Sequence, residues 1–219
     1  MKVLGITGGV GSGKSQVLAY LQEKYHASVS QMDEVAKRLQ KKGTPCYRKI
    51  VREFGTEIAG PDGELDRVRL GAAVFSDAGK RKILNRIVHP AVLEEVSRDI
   101  AEKESRGVKL YVVEAALLPD VGRELCDELW YVYAAEEVRR RRLKDSRRYS
   151  DEKITRMIES QPPEERFRQV CTAVIDNSGS FEDTKKQIGD KLILLECAAL
   201  PAEAAATVSM WAVITPIFL

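Results

Sequence analysis

Short apolar runs alternate along the chain with longer segments in which apolar residues recur at helical spacing. The short runs are rich in Val, Ile and aromatic residues, as is typical of buried strands. They cover residues 2–7, 27–32, 108–114, 128–134 and 172–177. Strands that alternate with helices in this way predict an α/β protein with a five-stranded parallel sheet.

Residues 44–107 interrupt this alternation. Apolar residues at helical spacing fill 47–54, 67–75 and 80–87, with turns rich in Gly, Pro and Asp between them. We interpret the segment as an all-helical insertion. Arg81 is one of several basic residues along it that could serve a phosphate-bearing substrate or belong to a solvated helix face.

The dipeptide His89-Pro90 predicts the start of a further helix over residues 91–103, because proline suits a first helical turn. In that position His89 would be a capping or packing residue in preference to a catalyst.

Composition is that of a globular protein. The 219 residues are 44% hydrophobic and 31% charged, and 35 Lys and Arg against 33 Asp and Glu leave a net charge of +2. A dedicated nucleic-acid binder would have a larger basic excess, so no nucleic-acid partner is expected. The four cysteines form no C-x-x-C pair and the chain has two histidines, which argues against a zinc site or a disulfide framework.

The two ends of the chain carry expectations about location. The chain enters its first predicted strand without a secretory signal pattern, so we expect a cytoplasmic protein. Residues 198–219 form an atypical apolar tail with one charge, Glu203, and two prolines. The tail lacks the flanking basic residues of a membrane anchor, and a loosely packed or disordered tail without membrane association is expected.

Candidate chemistry begins at residues 8–15, whose sequence Gly-Gly-Val-Gly-Ser-Gly-Lys-Ser fits G-x-x-x-x-G-K-[ST] at every fixed position. Glycines let successive N–H groups turn inward around phosphate oxygens, Lys14 reaches the β- and γ-phosphates, and Ser15 offers a hydroxyl to Mg²⁺. The alternative, a glycine-rich turn with a chance Lys-Ser, does not explain why a strand precedes the loop and a helix follows it. The sequence therefore predicts a nucleoside triphosphate site. Its residues are Gly8, Gly9, Val10, Gly11, Ser12, Gly13, Lys14, Ser15 and Gln16.

Two acids stand where predicted strands end, which is the edge of a parallel sheet at which ligands bind. Asp33 follows the second strand and could accept a proton from a substrate hydroxyl, or it could be the N-cap of the next helix, and the local pattern supports both equally. Glu114 ends the third strand and could support the Mg²⁺ shell through water, or it could be an ordinary strand-end acid.

Arginines cluster in residues 139–148, six of them in ten positions. A helix spreads four consecutive arginines around more than one face, so at most about two of them can point at one ligand. On a lid, some would neutralise charge on the transferring phosphoryl group. The alternative is a nucleic-acid patch or a solvated surface.

With these residues placed, the chain closely resembles the dephospho-CoA kinases over residues 2–192. Besides the phosphate loop and Asp33, the resemblance rests on Leu-Asn-Arg-Ile-Val-His-Pro at 84–90, the pair Leu117-Leu118, Gln161, and Val-Ile-Asp-Asn-Ser-Gly at 174–179. The family has Asp-Ala-Asp where this chain has Gln31-Met32-Asp33, and Pro-Leu-Leu-x-Glu where it has Ala-Leu-Leu-Pro-Asp at 116–120.

The resemblance implies a P-loop kinase of three-layer fold, with ATP and Mg²⁺ as cofactors, that phosphorylates the 3′-hydroxyl of dephospho-CoA. It implies a nucleotide-binding core at 1–43 and 108–197, a helical substrate domain at 44–107 and a lid near 136–165, in a protein expected to be a monomer. The resemblance implies that Asp33 is the catalytic base and that Asn177 and Gly179 lie near the adenine. The phosphates are assigned to Lys14 and to arginines among Arg139, Arg142 and Arg147, and the substrate to His89, Arg81 and Leu117.

Other functions fit the residues less well. A different P-loop kinase, for nucleosides or sugars, is the nearest alternative, followed by a nucleotide-binding protein without catalysis. A GTPase would need N-K-x-D to read guanine, and a transporter-type ATPase would need a segment like L-S-G-G-Q; neither occurs in this sequence.

Overall fold

The structure, a computed structural model, describes residues 1–116 and 123–198, with side chains as far as residue 193. Its strands are β1 (Lys2–Thr7), β2 (Ser28–Gln31), β3 (Leu110–Glu114), β4 (Glu128–Tyr133) and β5 (Ala173–Asp176). They pair in the order β2-β3-β1-β4-β5, and every pairing is parallel. The predicted five-stranded parallel sheet is confirmed.

Helices connect the strands. In the described residues they are α1 (Lys14–Tyr25), α2 (Met32–Leu39), α3 (Pro45–Phe54), α4 (Arg67–Phe75), α5 (Ala78–Ser105), α6 (Glu136–Arg147), α7 (Asp151–Glu159), α8 (Glu164–Val170) and α9 (Phe181–Ala198). Two 3₁₀ turns cover Thr56–Ile58 and Arg123–Leu125. Helices α2 to α5 all lie between β2 and β3 in the chain.

The core has two parts, one on each face of the sheet. On β3, Tyr111 and Val113 contribute to one part, while Leu110 and Val112 contribute to the other, as the alternation of side chains along a strand requires. Residues of α2, α3 and α5 pack in the first part and residues of α1 and α9 in the second. The sheet is therefore the middle of three layers.

The predicted helix start at His89-Pro90 is wrong, because α5 runs without interruption from Ala78 to Ser105 with Pro90 inside it. Proline in a helix interior costs about 3 kcal/mol. The face formed by Val88, Val92 and Val96 is buried, and each such side chain contributes about 1.5–3 kcal/mol. Burial of this face outweighs the cost of the proline, and Pro90 itself is exposed.

Other differences are small. Met32 belongs to α2, with its side chain buried, so β2 ends earlier than the apolar run suggests. Helix α8 follows Pro162-Pro163 and is too short to be recognised from periodicity. No helix in the described ranges is long and apolar enough to cross a membrane. Residues 199–219 of the predicted tail lie outside the described residues.

Candidate active site

The phosphate loop connects β1 to α1 at the carboxyl edge of the sheet. Gly13, at φ 91°, is the N-cap of α1 and offers no side chain to cap it, and the helix begins at Lys14. The first N–H groups of a helix have no partners within the helix. The amide groups and the positive end of the helix dipole therefore form an anion site.

Close contacts explain two of the loop glycines. A Cβ on Gly13 would lie 2.2 Å from Nδ2 of Asn177, and one on Gly9 would lie 2.7 Å from Nη2 of Arg139. Both distances are below any real Cβ contact. The loop thus has protein packed closely against its outer side.

Lys14 lies at the centre of the site. Its Nζ donates a hydrogen bond of 2.8 Å to the carbonyl oxygen of Gly8 and lies 3.7 Å from Oε1 of Glu114. Burial lowers the pKa of Lys14, and the carboxylates of Glu114 and Asp33 oppose that shift. The two acids singled out from strand ends thus both act on this ammonium group.

Glu114 is buried at the end of β3. Its Oε2 accepts a hydrogen bond of 3.3 Å from Nε2 of Gln31, the residue opposite it on β2. Ser15 lies one residue after Lys14, and both residues line a cavity at the phosphate loop. Mg²⁺ retains several waters and binds through one or two carboxylates together with substrate phosphates, so the hydroxyl of Ser15 and the carboxylate of Glu114 fit this ion.

Asp33 is the second residue of α2. The N-cap of that helix is Gln31, and no side chain caps it, so the interpretation of Asp33 as an N-cap is wrong. The Asp33 side chain is exposed and borders a cavity of about 360 Å³. The position leaves the carboxylate available to a ligand in that cavity.

His89 lines the cavity of Asp33, together with Val88 and Val92 of the same helix. Because α5 is continuous at this point, His89 is not a helix cap. Ala116 borders this cavity and also the cavity at the phosphate loop, which has a volume of about 770 Å³. The two cavities are therefore neighbours, with Lys14 in one and Asp33 in the other.

Two arginines on one face of α6 bind the outer side of the phosphate loop. Arg139 Nε donates to the carbonyl oxygen of Val10 at 2.8 Å, and Arg142 Nη1 donates to that of Ser12 at 3.3 Å. In these positions both guanidinium groups hold loop carbonyls. Arg147 is exposed and lines the loop cavity beside Arg142. Contact of any of these arginines with phosphate stays a prediction.

Asn177 is buried behind the loop. Its Nδ2 donates to the carbonyl oxygen of Ser12 at 2.8 Å, and its Oδ1 accepts from Thr184 Oγ1 at 2.9 Å. Arg142 Nη2 donates to the carbonyl oxygen of Asn177 at 2.8 Å. The Asn177 side chain therefore supports the loop, and the exposed Gly179 follows it in the turn before α9.

The remaining predicted residues lie elsewhere. Arg81 is exposed on α5, two turns before His89, and is not among the residues that border the Asp33 cavity. Leu117 lies outside the described residues. Sequence reasoning missed Thr184, which has no motif to mark it, and gave no role to Gln161. The latter accepts hydrogen bonds from Val10 N and from Arg139 Nη2.

The family model and the curated relatives identify the same family. The family model described as dephospho-CoA kinase matches residues 2–183. A dephospho-CoA kinase of Carboxydothermus hydrogenoformans is 38% identical over 189 residues, which cover 86% of this chain and 91% of that protein.

Solved structures give the same fold. The structure of TT1252 from Thermus thermophilus has a TM-score of 0.70 at 31% identity and covers 89% of this chain and 97% of that one. A dephospho-CoA kinase from Campylobacter jejuni has a TM-score of 0.65 at 17% identity, with 91% of this chain and 100% of that one covered. At that identity the second structure supports the fold alone.

Proposed function

The chain belongs to the dephospho-CoA kinase family and is a kinase of the last step of coenzyme A synthesis, and from that premise we propose how its residues act. They transfer the γ-phosphoryl group of Mg²⁺-ATP to the ribose 3′-hydroxyl of dephospho-CoA. One observation carries the proposal: the cavity that contains Lys14 and the cavity that contains Asp33 meet at Ala116. Donor and acceptor can thus bind side by side.

ATP binds with its phosphates in the phosphate loop. The amide groups at the start of α1 donate to the β- and γ-phosphate oxygens. Lys14 exchanges its hydrogen bond to the Gly8 carbonyl for one to phosphate, and its charge then opposes the negative charge that develops on the transferring group. The partial burial of the ammonium group strengthens this interaction, because less water screens it.

When bound, Mg²⁺ would neutralise negative charge on the phosphates of ATP. In this chain Ser15 would hold it through its hydroxyl and Glu114 through water. Gln31 keeps Glu114 in place by donating to Oε2, which leaves Oε1 directed at Lys14.

Asp33 accepts the proton of the acceptor hydroxyl. As that proton moves to the carboxylate, the hydroxyl oxygen forms a bond to the γ-phosphorus, and the bond between this phosphorus and the oxygen shared with the β-phosphate breaks. ADP leaves with the electron pair of that bond. His89 lines the same cavity and binds the acceptor beside Asp33. Arg147, exposed at the rim of the loop cavity, approaches the phosphates when the segment around it closes.

The acceptor is tested by ADP release. The purified chain is mixed with Mg²⁺-ATP and, separately, with dephospho-CoA, adenosine or a free sugar. We expect acceptor-dependent ADP release with dephospho-CoA alone. Faster release with a nucleoside or a sugar would favour another small-molecule kinase and overturn the assignment.

A further inference from the structure

Three residues distant in sequence meet at the tip of the phosphate loop, and we refer to Val10, Arg139 and Gln161 as the Val10 clamp. The N–H of Val10 donates to Oε1 of Gln161 at 3.1 Å. Its carbonyl oxygen accepts from Arg139 Nε at 2.8 Å. Arg139 Nη2 in turn donates to the same Gln161 oxygen at 2.7 Å. Both backbone polar groups of Val10 are therefore held by side chains.

The clamp is built from two anchored positions. Arg139 lies in the first turn of α6, where Ala135 accepts the hydrogen bond of its backbone N–H. Gln161 lies between α7 and Pro162-Pro163. The helix that follows, α8, is fixed to the sheet by Phe167, whose ring stacks on that of Tyr131 with the ring centroids 4.8 Å apart. By contrast, residues 144–148 are exposed. The clamp thus joins the loop to the fixed ends of the segment predicted to be a lid.

The geometry of the peptide unit gives the clamp a consequence for the loop. In a planar trans peptide the C=O and N–H groups point in opposite directions. When Arg139 holds the Val10 carbonyl on the outer side of the loop, the N–H of Gly11 in the same peptide must face the inner side. That side is where phosphate oxygens bind in a loop of this kind.

The same two side chains also pack against Gly9. A Cβ on Gly9 would lie 2.7 Å from Arg139 Nη2 and 3.0 Å from Gln161 Oε1. The clamp is therefore in close contact with the loop backbone at the preceding residue as well. A glycine at this position gives the two side chains the room they occupy.

We propose that Gln161 is a positioning residue, which acts through Val10 and Arg139 to hold the Gly11 amide in the direction that binds phosphate. The single oxygen of its side chain satisfies one donor from the loop and one from α6. Without it, both donors lose their acceptor, and Arg139 is free to leave the Val10 carbonyl. The proposal rests on the assignment of this loop as the ATP site.

The test compares Gln161→Leu with Gln169→Leu, an exposed position on α8 that serves as the matched control. Gln161→Leu keeps most of the side-chain volume and removes the acceptor. We expect the amide hydrogen of Val10 to exchange faster in this variant and the Kd for ATP to rise by roughly fivefold to a hundredfold, because two partly buried donors lose their acceptor. Gln169→Leu should change neither quantity.

Two further variants distinguish loss of the hydrogen-bond acceptor from a change in side-chain volume. Gln161→Glu restores an acceptor and should restore protection of the Val10 amide, even if its charge alters ATP affinity. Adding Arg139→Met to Gln161→Leu should weaken ATP binding less than the sum of the two single effects, because both residues act through Val10. If Gln161→Leu does not fold, Gln161→Met takes its place in the same comparison.

Unchanged exchange at Val10 in the folded variant, or equal ATP affinity in Gln161→Leu and Gln169→Leu, would overturn the proposal. Amide exchange is measured without substrate, so it reports on the clamp even if the wild-type chain fails to phosphorylate dephospho-CoA. Failure of the family reaction and failure of the clamp are thus distinct results.

Discussion

Replacing Asp33 with Asn tests the assignment of the base most sharply. Asparagine is nearly the same size and cannot accept the hydroxyl proton. Loss of a general base costs about 10² to 10⁴ in rate. That range corresponds to about 3 to 5 kcal/mol in the activation barrier.

The structure predicts a much smaller effect on folding. Asp33 is exposed in the first turn of α2 and caps nothing, so the substitution removes one favourable charge from a helix N-terminus. Such a charge contributes about 0.3–1 kcal/mol. For a chain of this length that loss lowers the Tm by at most about 4 °C. ATP affinity should hold, because Asp33 is not among the residues that line the loop cavity and Lys14 keeps Glu114 as a partner.

The matched control is Glu34→Gln, which removes the next charge in the same helical turn. Glu34 is exposed and pairs with Lys37, away from the Asp33 cavity. Turnover with dephospho-CoA, Tm and ATP affinity are measured for both variants. We expect Asp33→Asn to lose at least about a hundredfold in kcat and Glu34→Gln to stay near wild type. Turnover of Asp33→Asn within about threefold of the control would refute the reasoning, and Glu114 and Asp120 would be the next candidates, the latter outside the described residues.

Other substitutions test separate parts of the account. Lys14→Ala should lower kcat by about 10² or more while the Tm stays close to wild type, since the lysine supplies charge to the transition state, and near-normal turnover would contradict the loop assignment. His89→Gln should raise the KM for dephospho-CoA by about threefold to tenfold and leave the KM for ATP unchanged, whereas equal effects on both would remove His89 from the acceptor site. Thr184→Val should lower the free energy of unfolding in urea by about 1–3 kcal/mol, because it leaves the buried Oδ1 of Asn177 without its donor; a change below about 0.5 kcal/mol would show that water replaces the hydroxyl.

Motifs and apolar runs predicted the framework well. The five strands follow from the short apolar runs, and the helix after the phosphate loop follows from the glycine spacing of the motif. Glu114 is predicted at the site because the third strand ends there. The sequence could not show whether Asp33 is the base or the N-cap of α2. Predicted helix starts are uncertain by one or two residues, and that shift decides whether Asp33 precedes the helix or lies within it. The structure removes the cap interpretation by starting α2 at Met32, and the role of Asp33 as the base stays a prediction.

Long-range contacts account for what the sequence could not supply. The side chain of Asn177 binds the carbonyl of Ser12, 165 residues earlier, and no local pattern indicates that contact. Arg139 and Arg142 face the loop because buried Leu143 sets the rotation of α6, and helix rotation is fixed by packing that a single segment does not reveal. The helix start predicted at Pro90 is wrong for the same reason, since burial of the valine face of α5 outweighs the local preference of proline.

Identification of the product tests the central claim most directly. The purified chain is incubated with Mg²⁺-ATP and dephospho-CoA, and the product is analysed by mass spectrometry and by phosphorus NMR. The account predicts one added phosphoryl group, located on the ribose 3′-oxygen, and ADP in equal amount. ADP without a phosphorylated acceptor, or a phosphoryl group at another oxygen, would contradict it.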